Sequence, residues 1–468
     1  MLFNSLHFFV FAIIVIPVFF VLPHKKQKYL LLFASIYFYS SLKLAFLPLI
    51  MFSFTATWLF TLYIKQQNKR TDRMFLFLTL LVNLGILFFF KYTDFVRSSV
   101  YDIESMLGLD PPPFQAIGFI LPLGISFYTF QAIAYAVDVY RGEIKAEKNY
   151  ADFFLFLLFF PQLVAGPIMR ASQLIPQFAS RKTFNKTMFI SGMSLVVLGI
   201  FKKTIIADPV ADLIDPVFAN PGIYSSSTLF IADVFFSFQI YCDFSGYSDI
   251  AIGTGQILGF HIPINFHRPY FSSSITELWQ RWHISLSTWL KDYVYIPLGG
   301  NRVSRLRNYI NVFLTMIIGG IWHGAAWTFV IWGGMHAVLL NLERLFLEKK
   351  WNRAVTHTPI GIKIFLTFLL FVAGAHFFRS NTVENAFLAG KKILFFENGI
   401  SADLFKNLNV VIPVLMLFLL EFTDEFYPEK FRQLKESPLR YSFMASVILI
   451  AFMIYTVTVS PKFYYFQF

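Results

Sequence analysis

Ile317-Ile-Gly-Gly-Ile-Trp-His-Gly-Ala-Ala-Trp-Thr-Phe-Val-Ile-Trp-Gly-Gly-Met-His-Ala337 is apolar enough to sit in a bilayer, yet it carries two imidazoles, His323 and His336. A titratable ring inside a membrane span is costly, so its presence there points to function. Gly319, Gly320 and Gly324 lack Cβ atoms, and the backbone beside His323 is expected to bend or to let a substrate approach. The stretch therefore marks His323 as a candidate catalytic base at membrane depth, and it sets how the flanking sequence is read.

The composition agrees with a bilayer setting. The chain is 56% hydrophobic with a mean hydropathy of +0.60, whereas soluble domains are about 45–50% apolar. The 61 phenylalanines suit lipid-facing or tunnel-lining surfaces. A single cysteine, Cys242, excludes an intramolecular disulfide and argues against a cysteine-based metal cluster. The net charge of +12 reads as Lys- and Arg-rich cytoplasmic loops and needs no nucleic acid to explain it. The opening heptapeptide has no basic residue and no small-residue cleavage site follows, so Leu6–Leu22 is expected to be a retained span.

Runs near the roughly 20 residues that a spanning helix needs occur at 6–22, 29–42, 44–64, 74–90, 114–137, 151–169, 187–207, 228–258, 309–320, 324–342, 359–378, 408–422 and 441–460. Basic loops after the first span (Lys25, Lys26, Lys28) and at Lys65–Arg73 place those turns inside. The acidic stretches 91–113 and 208–227 fit the outside, and both chain ends are expected to be periplasmic. Basic residues flank 151–169 on both sides, so a full span there conflicts with the charge rule. Pro161, Gly166 and Pro167 predict a kinked or re-entrant segment instead.

The stretch from His261 to Arg307 is the least membrane-like. Trp279, Trp282, Leu286 and Trp289 recur at helical spacing and predict one interfacial helix with an apolar stripe, beside which His283 lies. Beyond it, 309–320 is too short to cross fully. A hairpin whose tip, Gly319–Gly324, stops inside the membrane satisfies the charges on both sides and holds His323 at depth. Histidine suits removal of a hydroxyl proton, because its ordinary pKa lies near 6.5. His283 and His323 are then placed to meet across a cavity.

Trp279-Gln-Arg-Trp-His-Ile-Ser-Leu-Ser-Thr-Trp-Leu-Lys-Asp-Tyr-Val-Tyr-Ile-Pro-Leu-Gly-Gly-Asn301 and Gly320-Ile-Trp-His-Gly-Ala-Ala-Trp327 resemble the membrane-bound O-acyltransferase (MBOAT) family. The likeness is greatest to its bacterial branch of alginate O-acetyltransferase membrane components and their peptidoglycan and D-alanyl-transfer relatives. Phe160–Ile168, Tyr241–Asp249, the opening Met1–Leu6 and the closing Phe463-Tyr-Tyr-Phe-Gln-Phe468 extend the likeness over nearly the whole chain. The resemblance implies an all-α, polytopic integral membrane protein with a ring of about 11–13 transmembrane or re-entrant helices around a central tunnel. The expected layout is one membrane domain over 1–468. It comprises N-terminal helices 1–260, a cytoplasmic interfacial segment 261–307, a catalytic hairpin 308–342, C-terminal helices 359–462 and an aromatic motif 463–468.

By the same resemblance His323 matches the catalytic histidine, and His283 matches a second polar position suited to positioning the acyl group or polarising its carbonyl. Tyr465 matches a tyrosine of the C-terminal motif and is a candidate acyl relay. Trp322, Trp282 and Asp243 are candidate substrate contacts; Arg281 and Lys291 are candidates for donor phosphates, with simple inside-loop charge as the bland alternative. The implied activity is an acetyltransferase of the bacterial inner membrane. It would move acetyl from a cytoplasmic donor, acetyl-CoA, toward an extracytoplasmic polysaccharide such as alginate, with a periplasmic SGNH-type O-acetyltransferase as partner. No resident cofactor or metal is expected. Peptidoglycan O-acetylation, D-alanyl-type transfer, transfer to a lipid or protein, and a transporter without acyl chemistry are the alternatives; the paired half-repeats of many transporters are not seen.

Overall fold

The computed structural model describes residues 1, 3, 5–348, 358–401, 403–436 and 446–447. Among them the regular elements are helices, with no strand. Four stretches are long and apolar enough to cross a bilayer: Leu44–Leu62, Lys69–Met106, Lys186–Ala219 and Ile360–Arg379. The chain divides into two compact units.

The first unit holds His7–Phe189 with Gly255–Ile262. Its helices are α1 (Leu6–Val21), α2 (His24–Lys43), α3 (Leu47–Leu62), α4 (Lys69–Leu87), α5 (Thr93–Met106), α6 (Ile125–Arg141), α7 (Tyr150–Leu158) and the single turn α8 (Ala171–Leu174). Side chains set the starts of two of them. Asn68 accepts from the backbone N–H of Arg70 and Thr71 ahead of α4, and Asn149 accepts from those of Ala151 and Asp152 ahead of α7. The expected span 114–137 is helical only from Ile125. Pro122 lacks the N–H a helix needs, and Gly118 and Gly124 take left-handed backbone at φ +68° and +71°. The expected break after α7 is present. Residues 159–169 are irregular and buried, and side chains partner their backbone and its neighbours: Phe160 N–H donates to Ser35 Oγ at 3.1 Å, and Gln162 Nε2 donates to the Phe156 carbonyl at 2.9 Å.

The second unit holds Ile190–Thr254 and the residues from Pro263 onward. It contains most of α9 (Lys186–Ile200), then α10 (Asp208–Ala219), α11 (Ser226–Ile257), α12 (Ile275–Arg281), α13 (Ile284–Leu290), α14 (Arg305–His323), α15 (Trp327–Glu348), α16 (Ile360–Arg379), α17 (Val383–Phe395), α18 (Leu408–Phe426) and α19 (Pro428–Glu436). A π-helical segment, Phe201–Ala207, joins α9 to α10. The single interfacial helix expected over 279–289 is instead two seven-residue helices, broken where Trp282 turns extended and His283 turns left-handed. Its apolar stripe is covered by protein: Trp282, Leu286 and Trp289 are all buried.

Apolar side chains gain little by leaving lipid for other apolar side chains, so membrane helices associate through close packing at small residues. Two crossings in this unit work that way. A Cβ at Gly320 of α14 would strike the Phe329 carbonyl oxygen of α15, and one at Gly333 of α15 would strike the Met316 carbonyl oxygen of α14. Likewise Gly199 of α9 and Gly246 of α11 each leave room for the other's carbonyl. The glycines beside His323 thus admit a neighbouring helix, and Gly324 admits the Phe329 ring.

The tightness of the α14–α15 crossing predicts that Gly320→Ala or Gly333→Ala forces the two backbones apart, at a cost on the order of 1–3 kcal/mol. Thermal unfolding of the detergent-solubilised protein should show a lowered midpoint for both. Gly361→Ala, where a Cβ meets nothing within 4 Å, should leave it unchanged.

Candidate active site

His323 is the last residue of α14 and is 7% exposed. Three aromatic rings hold its imidazole: Trp322 at 4.9 Å, Trp332 of α15 at 5.0 Å and Phe378 of α16 at 5.3 Å between centroids. It faces a small cavity lined also by Phe236, Ile240 and Phe244 of α11, Trp282, Trp332, and Phe371, Ala375 and Phe378. Among the described residues, His323 is the one titratable side chain in that lining. Small-molecule sites have this character, mostly apolar with few polar groups that orient the ligand.

The second imidazole is close by. His283 is fully buried, and its ring lies 6.4 Å from that of His323, with Phe244 at 4.6 Å and Trp322 at 5.9 Å. Its backbone is left-handed (φ +43°) between α12 and α13. A non-glycine residue in that region is held there by its surroundings. Here the holding group is Asn265. The Ile284 N–H donates to the Asn265 backbone carbonyl at 2.9 Å. The Asn265 Oδ1 accepts from Ser285 N–H at 3.1 Å, from Ser285 Oγ at 2.8 Å and contacts His283 Nδ1 at 3.2 Å. Burial pushes the His283 pKa down to about 3, so the ring is neutral at physiological pH.

The sequence candidates divide into groups. His323 and Trp282 line the cavity, and His283 and Trp322 lie in ring contact with His323 beside it. Arg281 is spent on carboxylates, Glu277 at 2.6 Å and Glu425 at 3.0 Å. Lys291 is more than half exposed, 3.7 Å from Asp292. Neither lines the cavity. Asp243 pairs with Lys203 at 2.6 Å, and Asp249 with Lys202 at 2.8 Å, so neither is bonded to a histidine in these pairs. Tyr465 and the rest of the aromatic motif 463–468 lie outside the described residues. His336 is buried against Trp332 at 5.0 Å and Trp279 at 5.3 Å. Sequence reasoning missed the α11 wall, although Phe236, Ile240 and Phe244 repeat every four residues. It also missed Phe371, Ala375 and Phe378, which share one helix face at four- and three-residue steps, and Asn265, for which a lone sequence carries no signal.

Residues 143–378 match the membrane-bound O-acyltransferase family model. The chain belongs to that family. It is 40% identical over 391 residues to the probable alginate O-acetylase AlgI of Pseudomonas aeruginosa, covering 82% of this chain and 72% of that one. It is 37% identical over 386 residues to the peptidoglycan O-acetyltransferase of Helicobacter pylori, covering 77% and 72%. It is 30% identical over 259 residues to the teichoic acid D-alanyltransferase of Bacillus subtilis, covering 53% and 64%. This membrane-bound O-acyltransferase, of the alginate O-acetylase-like branch, is a multi-pass membrane enzyme.

One further feature of the MBOAT chain sits behind the α11 wall. Lys203 Nζ lies 2.6 Å from both Asp243 and Asp208, and its side chain is 4% exposed. Removing one partner of such a buried pair leaves an uncompensated charge, at a cost of roughly 3–5 kcal/mol. Lys203→Met should therefore fail to accumulate as folded protein in size-exclusion profiles. Adding Asp243→Asn to Lys203→Met should recover part of the loss.

Proposed function

We propose that this enzyme moves an acetyl group from a cytoplasmic thioester donor, acetyl-CoA, to a hydroxyl acceptor, for O-acetylation of an extracytoplasmic polysaccharide at the bacterial inner membrane. The observation that carries the reading is the cavity itself: one imidazole, His323, set in a wall of apolar and aromatic side chains. In the reaction His323 takes the proton of the acceptor hydroxyl, and the oxygen attacks the thioester carbonyl. As the tetrahedral intermediate collapses, the carbon–sulfur bond breaks. The departing thiolate then takes the proton from the imidazolium, so no proton is gained or lost.

A neutral, short acyl group fits the lining better than D-alanyl does, because a D-alanyl ammonium would find no carboxylate among the nine lining residues. Alginate is the first acceptor to test, since several relatives carry that name, and peptidoglycan is the second. A periplasmic SGNH-type partner would place the acetyl on the sugar, with the Tyr465 phenol as the relay that hands it over.

Purified protein supplied with acetyl-labelled acetyl-CoA should release free coenzyme A in step with ester formation on a hydroxyl acceptor. His323→Ala should lower turnover by about 10²–10⁴-fold, the usual worth of a general base. Full turnover in that variant contradicts the role. Tyr465→Phe should lower both coenzyme A release in the absence of an added acceptor and polymer acetylation in cells; unchanged acetylation excludes the relay.

A further inference from the structure

The surroundings of His283 specify its tautomer as well as its position, and the consequence for catalysis rests on the acyltransfer function proposed for this chain. The Asn265 amide can be oriented in only one way. Its Oδ1 faces the Ser285 backbone N–H at 3.1 Å, and a backbone N–H only donates. The amide nitrogen on the other side donates to Ser248 Oγ at 3.3 Å. Reversing the amide would set an NH₂ against an N–H. The atom that meets His283 Nδ1 is therefore an acceptor, and Nδ1 must carry the hydrogen. In a neutral imidazole the other nitrogen, Nε2, then holds the lone pair.

We propose that Asn265 is a positioning residue that locks His283 in the Nδ1–H tautomer, so that His283 serves the transfer as a hydrogen-bond acceptor. This assignment runs against a role in polarising the thioester carbonyl, which needs a donor. The two imidazole centroids stand 6.4 Å apart, too far for their nitrogens to share a proton directly and near enough for one oxygen to bridge them. A water in that gap accepts the N–H of the neutral His323 ring and donates an O–H to His283 Nε2. The bridge leaves the lone pair on the other His323 nitrogen, the one that takes the proton of the acceptor hydroxyl. His323 of α14 is the titratable neighbour in ring contact with His283 among the described residues; Phe244 of α11, Phe266 and Trp322 also make ring contacts, and Asn265, Ser285 and Ser248 are polar groups on its Nδ1 side.

Asn265→Asp is the test, because it keeps the shape and the acceptor oxygen while adding a charge. A carboxylate beside His283 raises its pKa, by about 1–3 units for a close opposite charge. Below the raised pKa, Nε2 carries a proton and accepts nothing. A second ionisation should therefore enter on the acid side, and the acid limb of kcat against pH for acetyl-CoA turnover should steepen from one proton toward two, with KM for the donor unchanged. A purely structural Asn265 predicts an unchanged slope. The second measurement needs no variant at the position. Nitrogen-15 histidine NMR of the full-length protein in lipid, with the His283 signal assigned by its loss in His283→Asn, should report a protonated Nδ1 and an unprotonated Nε2. An Nε2–H tautomer, or an unchanged slope in Asn265→Asp, overturns the inference. Provided His323→Ala is inactive, the acyltransfer reading survives either result.

Discussion

The contact between Gly320 and Gly333 is the constraint on which the site depends. With no side chain on either residue, α14 and α15 meet backbone to backbone, and carbonyl oxygens of each helix occupy the space a Cβ would take in the other. That crossing brings Trp332 alongside the end of α14, where its indole packs at 5.0 Å from the His323 ring. A wider crossing would draw Trp332 away and loosen the imidazole. In lipid, where apolar contact alone gives helices little reason to associate, such packing is what holds the His323 ring in one place.

The same device recurs one layer away. Gly199 against Gly246 draws α9 and α11 together, and the π-helical segment that follows turns Lys202 and Lys203 inward onto Asp249 and Asp243. Widened helical turns of this kind re-aim side chains locally. The pairs hold these charges within protein. On α11 Asp243 falls three residues after Ile240 and seven after Phe236, on the same side as the residues that line the cavity, so the Lys203–Asp243 pair braces the stretch that carries that wall.

Much of this was legible in the residues. The run around His323 pointed to the imidazole worth following, and Pro161, Gly166 and Pro167 marked the break after α7; the helix before His323 begins at Arg305 and has 19 residues, longer than the 309–320 run read from hydropathy. The resemblance carried by Trp279–Asn301 and Gly320–Trp327 pointed to the family. Three things were not legible, for physical reasons. A helical pattern over 279–289 does not reveal that His283 is left-handed, because Asn265, eighteen positions earlier, imposes that conformation. Glycines near a histidine look the same whether they admit a ligand or a helix. Arg281 looked like a phosphate ligand because its partner Glu425 lies 144 residues away. Long-range partners decide such cases, and local spacing is silent about them.

The account stands on acyl transfer taking place within the aromatic cavity beside His323. Its most direct test is a structure of the protein in lipid nanodiscs with an uncleavable acetonyl thioether of coenzyme A. The account predicts the ketone carbon inside the cavity, enclosed by Phe244, Trp332 and Phe378, with the His323 ring in reach of the site an attacking oxygen would occupy. A donor analogue seated elsewhere, with the cavity still empty, would contradict it.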